Sequence, residues 1–218
     1  MNSKNSKKEK KENCYKAIKA DIVTGLLKPG TALTEPVFMD AYEIGRTPLR
    51  EVFLRIQQDG LIIRVPRGGT VVAPLDINSF MFLMETRMPL ELFAGELACK
   101  RIQINQLDAL KKQLCMLEKL AYKTDMGNKF ARLEIDFHTA IYRTTQNPEL
   151  AKLLGQLHDK CARVWYCLTS GSDDVFFGLN DLSTLLDALI KRDISLFKKI
   201  IKRHLSGFIA EVEKRINT

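Results

Sequence analysis

The feature that most constrains the fold is the segment Gly45-Arg46-Thr47-Pro48-Leu49-Arg50-Glu51, in which a turn runs into a short helix. Thr47 can cap this helix and Pro48 can occupy its first position, because the first N–H of a helix has no partner within it. Apolar residues then recur with a helical spacing at Leu49, Val52, Phe53 and Ile56. One face is therefore predicted to be buried, which leaves Thr47, Arg50 and Glu51 facing outward at the helix N-terminus.

The segments on both sides of this helix predict a winged helix-turn-helix. Upstream, a helical apolar pattern leads to the tight turn Lys28-Pro29-Gly30, and Thr34 begins a second short helix. Downstream, the β-branched runs 61–65 and 70–73 flank Pro66-Arg67-Gly68-Gly69, as in a hairpin with a basic tip. In such an arrangement the third helix is the one that enters the major groove of DNA.

Residues 18–75 resemble the DNA-binding domain of the GntR family of bacterial transcription regulators. The motifs that carry the resemblance are Leu27-Lys28-Pro29-Gly30, Arg46-Thr47-Pro48-Leu49-Arg50-Glu51, Asp59-Gly60-Leu61 and Arg67-Gly68-Gly69. The sequence departs from the family at Gly45, where a serine or threonine that can contact a phosphate is usual. The resemblance implies a transcription regulator that binds double-stranded DNA.

Candidate DNA contacts lie at the start of the third helix, at the hairpin tip and in the first turn: Arg46, Thr47, Arg50, Arg67, Gly68, Gly69 and Lys28. Either arginine of the helix can read a base, since an arginine that donates two hydrogen bonds to guanine is the commonest specific contact. Thr47 is assigned to a phosphate or a thymine methyl group, and Lys28 to a phosphate. The glycines of the tip allow the backbone to approach the minor groove closely.

Charge divides the chain into a disordered basic tail at 1–12, the winged helix-turn-helix at 13–75 and a larger domain at 76–218. Residues 1–75 contain 13 lysines and arginines against 8 aspartates and glutamates, compared with 21 against 18 in the remainder. The smaller part carries most of the positive excess, as expected of a domain that binds phosphates. The tail is either a solvated leader or an arm that adds salt-dependent affinity for any DNA sequence.

Cysteine usage and hydropathy favour a cytoplasmic protein without a membrane partner. The five cysteines are an odd number and lack the spacing of a metal finger, which suits a reducing compartment. No apolar run reaches the roughly 20 residues that span a bilayer. The lysine-rich N-terminus is not followed by the apolar segment of a secretion signal.

From residue 77 onward every strong periodicity is helical. The predicted helices cover 79–101, 105–122, 128–144 and 148–168, and two more end near Asp193 and Ile216. Because strand runs and internal repeats are missing from this half of the sequence, we predict an all-α antiparallel helical bundle. The whole chain is therefore expected to be mainly α.

The order of these helices resembles the FCD effector domain of the FadR subgroup of the GntR family. The motifs that carry this resemblance are Arg87 with Leu90-Glu91, Glu134-Ile135-Asp136-Phe137-His138, Asn147-Pro148-Glu149-Leu150, Leu186-Asp187-Ala188-Leu189 with Asp193, and His204-Leu205. The resemblance implies a dimer, most often a repressor, that binds a near-palindromic operator and responds to a small carboxylate effector bound inside the bundle.

The chemistry of the predicted bundle depends on few residues. Glu134 and His138 are four residues apart and share one face of a helix, so that both can bind one ion. In metal-binding relatives of the FCD group, an aspartate and three histidines line the bundle. Their positions correspond here to Glu134, His138, Leu182 and His204. Leu182 cannot ligate, and the neighbouring Asp181 lies about 100° round the helix, so the resemblance implies a three-ligand site for zinc, nickel or manganese.

A second interpretation uses the same residues without a metal. His138 and His204 would be polar core residues that bind an organic anion directly, with Arg87 donating two hydrogen bonds to its carboxylate. Arg87 and Glu91 can also form an ordinary helical ion pair. Arg143 is a candidate at the mouth of the pocket, whereas the polar neighbours of His158 predict that it lies at the surface.

Two other functions remain open from the sequence alone. A DNA-binding protein without an effector is favoured by the leucine at position 182. A metal-dependent enzyme would use Glu134 as a base or ligand with His138 and His204, yet the sequence lacks a nucleophile motif, a phosphate-binding loop and a second carboxylate beside them. We therefore expect a dimeric, effector-responsive regulator and no catalytic residue.

Overall fold

The chain divides into two units, Met1–Leu75 and Asp76–Thr218, in a computed structural model. The structure describes residues 3–66, 68–76, 78–121, 123, 126–169 and 178–216. Across these residues the chain is helical apart from one two-stranded antiparallel sheet. The prediction of a mainly α protein, with a winged helix-turn-helix followed by a helical unit, is thus confirmed. In this described part of the chain, no helix is long and apolar enough to cross a membrane.

The first unit contains three helices and the hairpin. Their bounds are Ser3–Val23 (α1), Glu35–Ala41 (α2), Arg46–Gln58 (α3), Ile62–Val65 (β1) and Gly69–Val72 (β2). The strands pair with Ile62 opposite Val72 and Val65 opposite Gly69. Ala32 adds an antiparallel bridge to Val71, which ties the turn before α2 to the outer edge of the hairpin.

The apolar stripe of α3 faces the interior as predicted, because Leu49, Val52, Phe53 and Ile56 are all buried. The start of the helix differs from the prediction, since Gly45 is the N-cap and Thr47 is already the second helical residue. The carbonyl of Gly45 accepts the first bond of the helix from the N–H of Leu49, at 3.1 Å. Pro48 is tolerated at the third helical position, two residues later than expected, because the N–H groups of the whole first turn lack helical partners.

The segment 1–12, predicted as a disordered tail, differs in the structure because α1 is helical from Ser3. Three exposed ion pairs connect this part of α1 to the rest of the unit: Lys10 to Glu43, Lys11 to Glu51 and Glu12 to Arg55. Their N–O distances are 2.9, 2.8 and 2.6 Å. The three partners lie more than 30 residues along the chain, so the local composition of the tail could not indicate them.

The second unit consists of helices whose bounds are Phe80–Arg101 (α4), Ile104–Leu120 (α5), Gly127–Thr144 (α6), Pro148–Leu168 (α7), Leu179–Lys191 (α8) and Ile194–Ile216 (α9). The central helix is α4, which packs against α6, α7, α8 and α9. The helix continues through Pro89, which is exposed to solvent. The guanidinium of Arg192 donates to the carbonyls of Cys99, Lys100 and Ile102, at 3.0, 3.1 and 2.9 Å, and so satisfies the C-terminal end of α4.

Close packing of α4 on α9 depends on Gly95, because a methyl group there would overlap the ring of Phe197. We expect Gly95→Ala to destabilise the protein by about 1 to 3 kcal/mol, as overpacking in a core commonly does. Gly155→Ala is the matched control, since Gly155 lies inside α7 with open space around its Cα. That change should be neutral or stabilising by up to about 1 kcal/mol. Urea unfolding followed by circular dichroism measures both, and equal effects would contradict the packing argument.

Candidate nucleic-acid interface and buried polar pocket

The first turn of α3 presents both predicted arginines to solvent, with side chains of Arg46 and Arg50 that are 62% and 56% exposed. Thr47 lies between them and is also exposed. The Nε of Arg50 donates to Glu35 at 2.8 Å, and the Nε of Arg46 lies 3.6 Å from the other oxygen of the same carboxylate. The guanidinium of Arg50 lowers the pKa of Glu35. The start of α3 therefore combines exposed positive charge with one carboxylate that both arginines share.

The hairpin tip is described at its glycines. Gly69 has a φ of +79°, a backbone conformation that favours glycine, and Gly68 leaves only 3.2 Å between an added Cβ and the side chain of Val65. Arg67 lies outside the described residues. Lys28 is exposed in the turn that follows α1. Both glycines thus lie at positions where a larger residue would be strained or crowded.

In the second unit, three ligand-type side chains from two helices meet in the interior. Glu134 and His138 lie one turn apart on α6, with 3.0 Å between Oε1 and Nε2. His158 of α7 places its Nε2 at 3.6 Å from the same oxygen, and the rings of His138 and His158 are 4.6 Å apart. One ligand atom from each of the three residues lies within 4.8 Å of the others.

The prediction that His158 lies at the surface is wrong, because only 4% of the residue is exposed. Its neighbours in sequence are polar, but the packing of α7 on α4, α6 and α9 buries this part of the helix. The available signal was its spacing from Leu154, Cys161 and Trp165, all of which are buried. The structure thus brings His158 beside Glu134 and His138, whereas Leu182 is a buried apolar residue of α8.

His204 of α9 lines the same pocket without joining the three-residue cluster. Its ring is 5.8 Å from the ring of His138, and its Nδ1 is 3.4 Å from a carboxylate oxygen of Asp181. Asp181 also pairs with Arg203. Gly178 lies against the His204 ring, where any larger residue would overlap the imidazole. Asp181 is thus a contact of His204, which the sequence predicted as a metal ligand.

The protonation states suit ligand binding. Burial alone would raise the pKa of Glu134, yet the adjacent His138 and His158 hold it well below the usual value for a carboxyl group. Burial lowers the pKa of both His158 and His204, more than the nearby carboxylates raise it. At neutral pH Glu134 is therefore a carboxylate and the imidazoles of His158 and His204 are neutral, which are the forms in which these side chains bind a metal ion.

Arg87 is fully inside the unit and forms the i,i+4 ion pair with Glu91 that the sequence allows. Its Nε donates to Glu91 at 2.9 Å, and Nη2 donates to the hydroxyl of Tyr142 at 3.3 Å. Tyr142 donates in turn to Glu91 at 2.5 Å. Both charged side chains are at most 4% exposed. Arg143 is exposed and is not among the described residues that line the pocket, so the structure does not place it at the mouth.

The cavity beside these groups has a volume of about 30 Å³. Its polar wall consists of Arg87, Glu134, His158 and His204, and its apolar and aromatic wall of Ala162, Trp165, Tyr166, Leu205 and Phe208. The hydroxyl of Tyr166 donates to the second oxygen of Glu134 at 3.0 Å. Since a water molecule needs roughly 10 to 15 Å³, the cavity has room for about two groups of that size.

Comparisons with known proteins agree with both halves of this description. Residues 10–72 match the gntR family of bacterial regulatory proteins, and residues 83–207 match the FCD domain. The transcriptional repressor RspR of Escherichia coli (strain K12) is 23% identical over 203 residues, which cover 93% of this chain and 89% of that protein. The uncharacterized regulator YdhC of Bacillus subtilis (strain 168) is 28% identical over 145 residues, 66% of this chain and 65% of its own length.

Solved structures share the fold. Escherichia coli McbR/YncC matches 95% of this chain and 98% of its own, with a TM-score of 0.82 and 22% sequence identity. A putative GntR regulator from Rhodococcus sp. RHA1 matches with a TM-score of 0.75 at 18% identity over 94% and 98% of the two chains. With these family matches and this fold, the chain belongs to the GntR family of bacterial transcription regulators with an FCD domain, and is a regulator and not an enzyme.

Proposed function

We propose that this chain is a cytoplasmic repressor that binds a near-palindromic operator as a homodimer and responds to a small organic acid. The observation that carries the proposal is that one chain contains both features. Two exposed arginines lie at the start of α3, and the other unit contains a buried pocket lined by ionisable side chains. The first can read DNA and the second can bind an effector. The repressor RspR, which matches along most of this chain, supports the direction of regulation.

On the operator, Arg46 and Arg50 would read bases and Thr47 would contact a phosphate or a thymine methyl group. Arg67, Gly68 and Gly69 would follow the minor groove, and Lys28 would contact the backbone. A two-fold dimer would place two α3 helices in major grooves about 34 Å apart, which corresponds to one turn of the duplex. This geometry predicts an inverted repeat.

The residues of the pocket fit a divalent transition metal such as zinc, nickel or manganese. Glu134, His138 and His158 supply one oxygen and two nitrogens, a donor set that suits these ions. The sequence predicted Glu134, His138 and His204 as the ligands, and we now assign the third position to His158. When bound, the ion supplies a Lewis-acid partner for an effector carboxylate. The hydroxyl of Tyr166 fixes the carboxylate of Glu134, as an outer hydrogen bond does in many metal sites.

An effector carboxylate would enter beside the ligand cluster. Arg87 lines this space, but its charge is matched by Glu91, so it would add hydrogen bonds without a net positive charge. The aromatic side chains Trp165, Tyr166 and Phe208 would contact the rest of the molecule. We infer that binding of an organic acid beside the cluster moves the lining helices. Such movement is a direct means of favouring one placement of the two domains over another.

Metal content is the first measurement. Elemental analysis of tag-free protein purified without chelator is expected to give near one equivalent of a transition metal. His158→Ala should lose most of it, whereas His204→Ala should retain it, because His204 stands outside the three-ligand cluster. Thermal melting verifies that each variant is folded. Loss in His204→Ala with retention in His158→Ala would restore the ligand set predicted from the sequence.

A second candidate function is a DNA-binding protein without an effector, favoured by the buried Leu182 at a position where metal-binding relatives have a ligand. It predicts metal-free protein whose melting temperature is unchanged by citrate and other small carboxylates. Stabilisation by a carboxylate without any metal would instead assign the pocket to direct anion binding through Arg87, His138 and His204.

A further inference from the structure

The carboxylate of Glu35 is shared by the arginines of the DNA-reading surface. Glu35 is the first residue of α2, and its two oxygens lie 2.8 Å from the Nε of Arg50 and 3.6 Å from the Nε of Arg46. Arg64 of β1 adds a third positive charge that acts on the same group. The side chain of Glu35 is 27% exposed, less than half as much as that of Arg46 or Arg50. One acidic side chain thus lies beneath a cluster of positive charge.

We propose that Glu35 is a positioning residue that sets DNA sequence specificity by orienting Arg50. The hydrogen bond to Glu35 uses the Nε of the planar guanidinium and does not use its two Nη groups. Those groups can still donate to the two acceptors of guanine. Because the side chain is held before DNA arrives, less rotamer entropy is lost when the base contact forms.

Glu35 also has an opposite effect on binding without sequence preference. Its negative charge offsets part of the attraction between Arg46, Arg50 and the phosphates, and that attraction dominates non-specific affinity. Removal of the carboxylate should therefore strengthen binding to random DNA while it weakens binding to the operator. A residue with a merely structural role would change both affinities in the same direction.

The experiment measures both affinities on the full-length chain. An operator is first selected from a random-sequence duplex library with the unmodified protein, and a scrambled duplex of equal length is the non-specific probe. Glu35→Ala removes the charge and the acceptor, whereas Glu35→Gln removes only the charge. Glu43→Gln is the matched control, since Glu43 is an exposed acid of the same unit that pairs with Lys10.

For Glu35→Ala we expect the ratio of operator to scrambled affinity to fall about tenfold, within the range set by one bidentate arginine–guanine contact. In Glu35→Gln the ratio should fall less, because the amide oxygen can still accept from Arg50. Glu43→Gln should raise both affinities slightly and leave the ratio unchanged.

The proposal rests on Arg50 as a base-reading residue, and Arg50→Ala distinguishes the two ideas. An unchanged ratio in Glu35→Ala, with a reduced ratio in Arg50→Ala, would overturn the role of Glu35 alone. Unchanged ratios in both variants would overturn the assignment of α3 as well. If Glu35→Ala melts at a lower temperature, the ratio in Glu35→Gln decides, and an unchanged ratio there with an unchanged operator affinity overturns the proposal.

Discussion

Arg50→Ala is expected to reduce affinity for the selected operator by roughly 30-fold or more. A bidentate arginine–guanine contact is worth about 1 to 3 kcal/mol of discrimination, and a dimer loses one such contact in each half-site. Stability should be preserved, because the Arg50 side chain is 56% exposed and the buried stripe of α3 is untouched. Fluorescence anisotropy at physiological salt measures the affinity, and thermal melting verifies the fold.

Arg55→Ala is the informative comparison on the same helix. Arg55 lies in the last turn of α3, pairs with Glu12 at 2.6 Å and stacks 3.5 Å from the centre of the Tyr15 ring. Its loss should lower the melting temperature while the preference for the operator over scrambled DNA remains. An Arg50→Ala protein that binds its operator with unchanged affinity would show that α3 does not read the sequence as we propose.

Arg87→Met is expected to destabilise the protein by about 3 to 5 kcal/mol, the usual cost of removing one partner from a buried ion pair. Glu91 would keep its charge in a site where it is 2% exposed, with Tyr142 as its remaining donor. The double variant Arg87→Met/Glu91→Leu removes both charges and should recover most of the loss. Urea unfolding of the two variants gives the comparison.

The loss caused by Arg87→Met should shrink as the pH falls. Burial by itself raises the pKa of Glu91, but Arg87 and the nearby His138 bring it below the usual value. In the unmodified protein this carboxylate therefore contributes stability above the ordinary pKa of a glutamate and loses it as the pH falls through its own lower pKa. Without Arg87, burial dominates and the pKa of Glu91 rises. Glu91 is then protonated in mild acid, which removes the buried charge and reduces the loss of stability in the variant. Equal losses at pH 7 and pH 5 would contradict this account.

An Arg87→Met protein of normal stability that no longer responds to a carboxylate would assign Arg87 to the effector instead of the ion pair. The two roles separate because the double variant repairs only the structural one. A protein stabilised by carboxylates in the double variant as well would show that Arg87 does not contribute to effector binding.

Residue spacing along the chain was enough to predict the local structure. The spacing of Leu49, Val52, Phe53 and Ile56 fixed which face of α3 is buried, and therefore which arginines are exposed. A four-residue interval on a helix brought Glu134 and His138 together whatever surrounds them. These conclusions hold because they depend on the geometry of one helix or one turn, which the chain carries within a few residues.

The burial of individual side chains and the ion pairs between distant segments depend on how the helices pack against one another. His158 is buried because α7 packs among other helices, whereas Arg143, near the end of α6, is exposed. The helix at residues 3–12 finds acidic partners in α3 and in the turn after α2. Periodicity indicates which residues share a face, but the partner that covers each face is set by long-range packing. For that reason the sequence did not predict His158 as the third candidate ligand, which depends on the packing of α7 against α6.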